Sequence, residues 1–225
     1  QNIYGTITAS AGADNGELNL AGSSIISGQV GTNANYLLAI GSAGGAGTTV
    51  TFGNDVFVSD FVQTGAGIID ISASTIDLDG TATGDFTMHA NGTLKLTINS
   101  STDFGNLDSS TGGTFTLAST NTVDVVLNTA VTNGQTFAIS NFSAGIASLP
   151  TVTDNSALVT LTPTEPAAGD LLLTATVNTS GVATTPSATG VLTTMSDAVT
   201  DGSASADLQT VWTQVISSST DAAAA

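Results

Sequence analysis

From Ile3 to about Val177 the chain repeats one theme: a short run of alternating β-formers, then a glycine, asparagine or aspartate. Gly5-Thr6-Ile7-Thr8, Glu17-Leu18-Asn19-Leu20, Thr49-Val50-Thr51-Phe52 and Val56-Phe57-Val58 follow it early on. Ile68-Ile69-Asp70-Ile71, Thr75-Ile76-Asp77-Leu78 and Thr93-Leu94-Lys95-Leu96-Thr97-Ile98 continue it, as do Thr114–Leu117, Val123–Leu127 and Leu158–Leu161. Period-two alternation with turn residues between is the signature of half-buried strands, and helical periodicity is absent throughout this region. A sandwich built from such strands needs long-range pairing and larger core residues. A solenoid stacks each strand on its neighbour one coil away, so every coil can be small and imperfect. Aromatic residues make up only 5% of the chain and there are 25 glycines, which favours the solenoid. The expected fold is all-β: a right-handed parallel β-helix with a C-terminal β capping unit and a short terminal α-helix.

The pattern changes along the chain. Residues 1–99 read as regular coils. Over 100–180 turn pairs such as Asn133-Gly134 appear, and Pro150, Pro163 and Pro166 fall in this stretch or its strands. Proline removes a ladder donor and marks edges and loops, so this segment is expected to cap the last coil, whose main-chain groups would otherwise stay open. Residues 181–190 are rich in Ser, Thr, Ala and Pro and read as a linker. In 191–225 the period becomes helical: Leu208, Val211, Trp212, Val215 and Ile216 form one apolar stripe at i, i+3, i+4, i+7 and i+8. Ser205 stands at the N-cap position and Asp207 in the first turn, and Ala222–Ala225 would prolong the helix. The stripe is a docking face for the β-body or for a further domain.

Charge excludes several functions. The formal net charge is −17, and Lys95 is the only lysine or arginine. Nucleic acid and anionic lipid need basic residues to neutralise phosphate, so neither is an expected partner. The chain has no cysteine, which with its acidic, Thr/Ser/Asn/Gly-rich composition fits a protein exported unfolded across a bacterial envelope. No stretch has the roughly 20 apolar residues of a membrane span, so direct membrane insertion by this segment is not expected. Gln1 opens no basic-plus-apolar leader, and an exported protein would therefore be seen here as a mature or excised piece.

Catalytic constellations are thin. His89 is the only histidine and sits in the alternating stretch Phe86-Thr87-Met88-His89-Ala90, without a Gly-x-Ser-x-Gly nucleophile setting anywhere. One histidine and no cysteine cannot build a zinc site. No cofactor is expected: Asp77, Asp79 and Asp85 are the residues that could offer oxygen ligands to calcium, but they match neither an EF-hand nor a nonapeptide repeat and read first as loop aspartates forming turns. Asp197, Asp201 and Asp207 read as caps of helical turns. A carboxylate pair acting on polysaccharide depends on geometry that spacing does not reveal, but the chain has one Trp and two Tyr to serve as sugar platforms. No enzymatic activity is expected.

Three segments together resemble a known family. Ile26-Ser27-Gly28-Gln29-Val30-Gly31-Thr32-Asn33-Ala34-Asn35-Tyr36-Leu37-Leu38-Ala39-Ile40, followed by Thr49-Val50-Thr51-Phe52-Gly53, resembles passenger repeats of rickettsial-type surface cell antigens, the autotransporters that include outer membrane proteins A and B. The stretch from Gly92 to Phe142, with Leu94-Lys95-Leu96, Val125-Val126-Leu127 and Gly134-Gln135-Thr136-Phe137-Ala138-Ile139, resembles the autochaperone region that closes such passengers. The Ala-rich tail is similar to the segment leading into a translocator barrel. The chain departs from the group in its poverty of lysine and in lacking barrel strands. The resemblance implies a type V secretion passenger on the bacterial cell surface, acting as structural stem and folding template for adhesive sequence. Its implied partners are its own translocator barrel and host-cell or neighbouring surface proteins. Two other readings stay open at this point: a self-assembling surface-layer or filament subunit, and a polysaccharide-binding or polysaccharide-active solenoid.

Overall fold

The computed structural model describes residues 1–9, 14–80, 84–109, 112–144, 146–180 and 185–218. It is a β-solenoid of about six turns followed by two short helices. One face is a seven-stranded parallel sheet of β1 (Asn2–Ile3), β3 (Ser24–Ile26), β5 (Thr49–Phe52), β7 (Ile68–Ser72), β10 (Thr93–Ile98), β13 (Thr122–Leu127) and β16 (Thr151–Asp154). The other ladder joins β2 (Glu17–Leu20), β4 (Leu37–Ser42), β6 (Val56–Gln63), β8 (Thr75–Asp77), β9 (Phe86–Thr87), β11 (Asn106–Asp108), β12 (Phe115–Thr116) and β15 (Ser140–Asn141).

β6 explains how this ladder turns a corner. Its first residues pair with β8, and its later ones pair with β4 and β9. At the change of partner, Val58 and Ser59 are both buried, so alternation slips by one residue. That slip re-aims the side chains into the interior of the next face, which divides the ladder into two walls and gives the coil three sides. Corners between walls are tight. Gly31 has φ +68°, and a Cβ there would lie 2.2 Å from the Phe57 carbonyl of the coil below. Only glycine allows that approach without backbone displacement.

Register places like on like. The inward row of the first sheet runs Ser24, Val50, Ile69, Leu94, Val123, Val152. One residue on, the outward row carries Thr51, Asp70, Lys95, Asp124 and Thr153. The single lysine thus stands between two aspartates, and its Nζ is 3.6 Å from Asp70 Oδ2. A partly exposed pair of this kind at the sheet surface contributes about 0–1 kcal/mol. Its larger consequence is for register, since a shifted strand would bring Asp70 and Asp124 against other acidic or neutral rows.

The interior is less poor in rings than composition suggests. Phe52, Phe61, Phe86, Phe115 and Phe142 form a column along the coil axis, with successive ring centres 6.0, 4.9, 5.6 and 5.2 Å apart. Five of the eight phenylalanines therefore share one line. A second, polar line occupies one corner. Buried Asn121 donates from Nδ2 to the His89 and Gly92 carbonyls at 2.7 and 3.1 Å, and its Oδ1 accepts from Ala118 N–H. One side chain thereby satisfies three main-chain groups where the turn cannot.

The solenoid ends under an antiparallel sheet of β14 (Thr136–Ala138), β18 (Leu172–Val177) and β17 (Val159–Thr164), in that order. Pro163 lies on the edge strand β17, the place where a missing donor costs least. The expected boundary at 99/100 does not hold as a change of sheet. Parallel pairing continues from β10 into β13 and β16, and from β11 into β15, so the last coils interleave in sequence with the cap strands. Solvent on one side gives parallel and antiparallel strands the same alternation, so the pattern alone could not mark the change of direction.

The C-terminal segment is a helical hairpin. α1 (Pro186–Thr200) starts at Thr185, whose hydroxyl accepts from Ala188 N–H at 3.2 Å, with proline in the first turn. Residues 186–190, expected to be linker, therefore belong to this helix; residues 181–184 lie outside the described residues. α2 (Ala206–Ser218) is capped by Ser205, which accepts from Leu208 N–H at 3.3 Å. Asp207 stands in its first turn as expected, while Ala222–Ala225 lie outside the described residues.

Candidate functional site

The densest polar constellation lies on the wall built by β6, β8, β11 and β15. In β8 the buried Ile76 points inward, which turns Thr75 and Asp77 outward. Parallel register then aligns Phe57, Asp77, Asp108 and Asn141 in one row. Adjacent strands are about 4.8 Å apart, so two aspartates are held side by side. Asn141 Nδ2 donates to Asp108 Oδ1 at 2.8 Å, and Asn141 Oδ1 accepts from Ser109 N–H at 2.9 Å.

Tyr36 joins this row from the turn before β4. Its ring meets Phe57 edge-on at 5.8 Å, and its hydroxyl donates to Asp77 Oδ1 at 2.8 Å. Asp79 N–H donates to the same oxygen at 3.0 Å. Partial burial pushes the Asp77 carboxyl above its ordinary value, and the charges of Asp79 and Asp108 add to that. The hydrogen bonds from Asp79 and Tyr36 oppose the rise without cancelling it. Burial and the bond to Asp77 push the Tyr36 hydroxyl well above the usual phenol range, so it stays a donor.

This has a pH consequence with a definite sign. A carboxyl raised in the folded state binds its proton more tightly there than in the unfolded chain. Its contribution to stability is complete below the ordinary value near 3.8 and is lost as pH rises through the raised folded value. Asp77→Asn keeps an oxygen for Tyr36 and Asp79 but removes the charge beside Asp108. It is expected to raise the urea midpoint at pH 7 by an amount equivalent to about 0.5 kcal/mol, the scale of a like-charge pair directly opposite. The variant and the parent should converge near pH 3. An equal difference at both pH values would refute this account.

The calcium candidates are not brought together. Asp77 and Asp79 share the turn after β8, but Asp85 works elsewhere: its N–H donates to Asp60 Oδ1 at 3.1 Å, and its Oδ1 accepts from Thr114 N–H at 2.8 Å. Asp60, Asp85 and Thr114 thus link successive coils at another position on the stack. Among the described residues no group of three or more His, Asp or Glu side chains converges as a metal site would require. Turn chemistry accounts for Asp77, whose acceptance from Asp79 N–H is an Asx turn. His89 is exposed, with Nδ1 2.6 Å from the Ala90 carbonyl.

The helix stripe divides on docking. Trp212 and Ile216 are fully buried, and Trp212 Nε1 donates to the Val131 carbonyl at 3.3 Å. Leu208 and Val215 are half-buried, whereas Val211 is 47% exposed and lies off the docking face. The contact face is therefore narrower than the sequence stripe and centres on Trp212. The helical segment expected from residue 191 covers most of α1, but its start falls in the expected linker, although Thr185-Pro186 is a helix-start signal and Leu192, Met195 and Val199 follow at helical spacing. Between the two helices lies a recess of about 610 Å³ walled by Val191, Met195, Ala198 and Leu208, with no titratable group. Asp201 caps the C-terminus of α1, and hydrogen bonds from Ser203 hold its carboxyl below the ordinary value.

No described helix is long and apolar enough to cross a membrane. Comparison with protein-family models, with curated proteins and with solved structures finds no match to this chain.

Proposed function

We propose that this chain is a mechanical stem of an exported bacterial surface protein, with a C-terminal cap that serves as its folding template. The observation that carries this reading is the closed end. A stack of self-similar coils finishes under the antiparallel β14–β18–β17 sheet, held by α2 through Trp212. Each coil touches only its neighbours, so order gained at the cap can spread coil by coil. A chain with no cysteine and a charge-poor composition presents few obstacles to threading through a pore. In this reading the chain is extracellular and has no catalytic role. It resembles an autotransporter passenger whose translocator barrel is its partner, and it presents adhesive sequence to host-cell or neighbouring surface proteins.

Two measurements test it. Refolding from denaturant with pulsed hydrogen exchange should protect amides of β14, β17, β18 and the last coils before those of β1 to β5. Earlier protection of the first coils would remove the template role. In the cell that makes the protein, protease added to intact cells should degrade the chain, and survival of the chain with the cytoplasmic markers would remove the surface location.

A further inference from the structure

Four asparagines stand in the Asn-x-Ser/Thr pattern that accepts N-linked sugar: Asn91, Asn99, Asn141 and Asn178. In a chain so rich in Ser, Thr and Asn the pattern alone means little, but the fold separates the four. A transferase must grip all three residues, so the tripeptide has to lie in a surface turn. Three of the four do not offer one. Asn91 and Thr93 flank the buried Gly92, whose carbonyl accepts from Thr122 N–H and Asn121 Nδ2, and Thr93 is held in β10 between β7 and β13. Asn99 has committed its carboxamide: Nδ2 donates to Asp103 Oδ2 and Oδ1 accepts from Asn128 Nδ2, both at 3.2 Å. Asn141 is a strand residue bonded to Asp108 and Ser109, and its neighbour Phe142 is locked in the phenylalanine column.

Asn178 differs. It is the first residue after β18, anchored there by its N–H to the Leu158 carbonyl at 2.7 Å. Asn178 and Ser180 are both exposed, while Thr179 Oγ1 lies 2.9 Å from Thr193 Oγ1 and ties the turn to α1. Ser180 donates twice to Asn178 Oδ1, from its N–H at 3.2 Å and from its hydroxyl at 2.9 Å. Donors on the carboxamide oxygen draw charge onto it and favour the deprotonated, imidate-like form of the nitrogen. Charge favours the site as well. Activated sugars carry phosphate, which a chain of net charge −17 repels, and no acidic residue lies between Asp170 and Asp197 in the sequence. Asn99 and Asn141, by contrast, bond directly to carboxylates.

We propose that Asn178 is an acceptor for N-linked sugar on the folded chain, with Ser180 as the residue that orients and activates its carboxamide. In the transfer, Asn178 Nδ2 bonds to the anomeric carbon of a sugar diphosphate donor. The bond from that carbon to the phosphate oxygen breaks, and the diphosphate leaves with its electron pair. The Nδ2 proton passes to a base of the transferase. This goes beyond the stem reading and does not depend on it.

The purified 225-residue chain, incubated folded with UDP-glucose and a soluble N-glycosyltransferase specific for Asn-x-Ser/Thr, should gain the mass of one hexose. Peptide mapping should place it on Asn178 and find Asn91, Asn99 and Asn141 unmodified. Asn178→Gln should abolish the gain. Ser180→Ala should slow it by about tenfold, the worth of one hydrogen bond, and Ser180→Thr should restore it. Both side chains are exposed, so circular dichroism and melting of all three variants should match the parent. No addition to the folded chain, an equal rate at the other three asparagines, or an undiminished rate in Ser180→Ala would overturn the inference. The chain isolated from the cells that make it should carry sugar at Asn178, and an unmodified Asn178 there would overturn it equally. Neither result depends on protease access to intact cells, so this proposal and the surface location can fail separately.

Discussion

Phe86→Ala should cost this protein about 4 kcal/mol of stability, the scale of deleting a large ring from a close-packed core. The ring is fully buried, stacked on Phe61 at 4.9 Å and met edge-on by Phe115 at 5.6 Å. Removing it forfeits its apolar burial and two aromatic contacts, each worth about 0.5–1.5 kcal/mol beyond area. It also opens a void between consecutive coils that the ladder hydrogen bonds keep from collapsing. Because coils couple only to neighbours, the defect should divide the molecule as well as weaken it. Urea unfolding followed by hydrogen exchange is expected to show the coils before Phe86 opening ahead of those after it. Phe86→Leu, which fills most of the space, should lose about 1 kcal/mol and keep a single transition. A loss below 1 kcal/mol for the alanine variant would show that the phenylalanine column does not couple the coils.

Trp212→Ala should have an effect of similar size, about 3–5 kcal/mol, expressed at the other end of the molecule. Trp212 is the only tryptophan, fully buried, and bonded to the main chain of the segment entering the cap. Without it α2 loses its anchor, and Ile216 alone remains fully buried on that face. Limited proteolysis should then cut within α1 and the turn to α2, between Pro186 and Ala206, faster than in the parent and before the coils are touched. Trp212→Phe retains the apolar contact but leaves the Val131 carbonyl without its donor, an expected loss of about 1–2 kcal/mol. In the parent the same residue is a built-in probe: its fluorescence should report the docking of α2 separately from the backbone signal of the solenoid. An unchanged proteolytic pattern in the alanine variant would mean that the hairpin is held by something other than this contact.

The candidate site was legible in the sequence only in part. Asp77 and Asp79 drew attention as neighbours in one turn, and their turn role follows from local chemistry. The partners that matter most to Asp77 come from far along the chain. Tyr36 reaches it from 41 residues away, and Asp108 from the next coil. Nothing in the spacing of Asp85 reveals that it serves Asp60 and Thr114 instead. Likewise, the apolar stripe on α2 was visible as a period, but which part would be covered depended on the shape of the cap, and Val211 stayed outside.

What the sequence by itself determined is local. Alternation in Thr93–Ile98 or Thr122–Leu127 sets which side chains face inward, because successive residues of an extended backbone point to opposite sides. Ser205 likewise marks the start of α2 by accepting from the Leu208 N–H, and Asp207 places negative charge in its first turn. The tertiary structure alone decided which strands are neighbours. The parallel run from β10 to β13 and β16 continues past Asn133-Gly134 and Pro150, which suggested a boundary, while β14, β17 and β18 turn antiparallel between and after these coils. It also gathered scattered phenylalanines into one column and laid an antiparallel sheet over the last coils. Those outcomes depend on the length and path of each connection between strands, a property of the closed coil that no window of sequence contains.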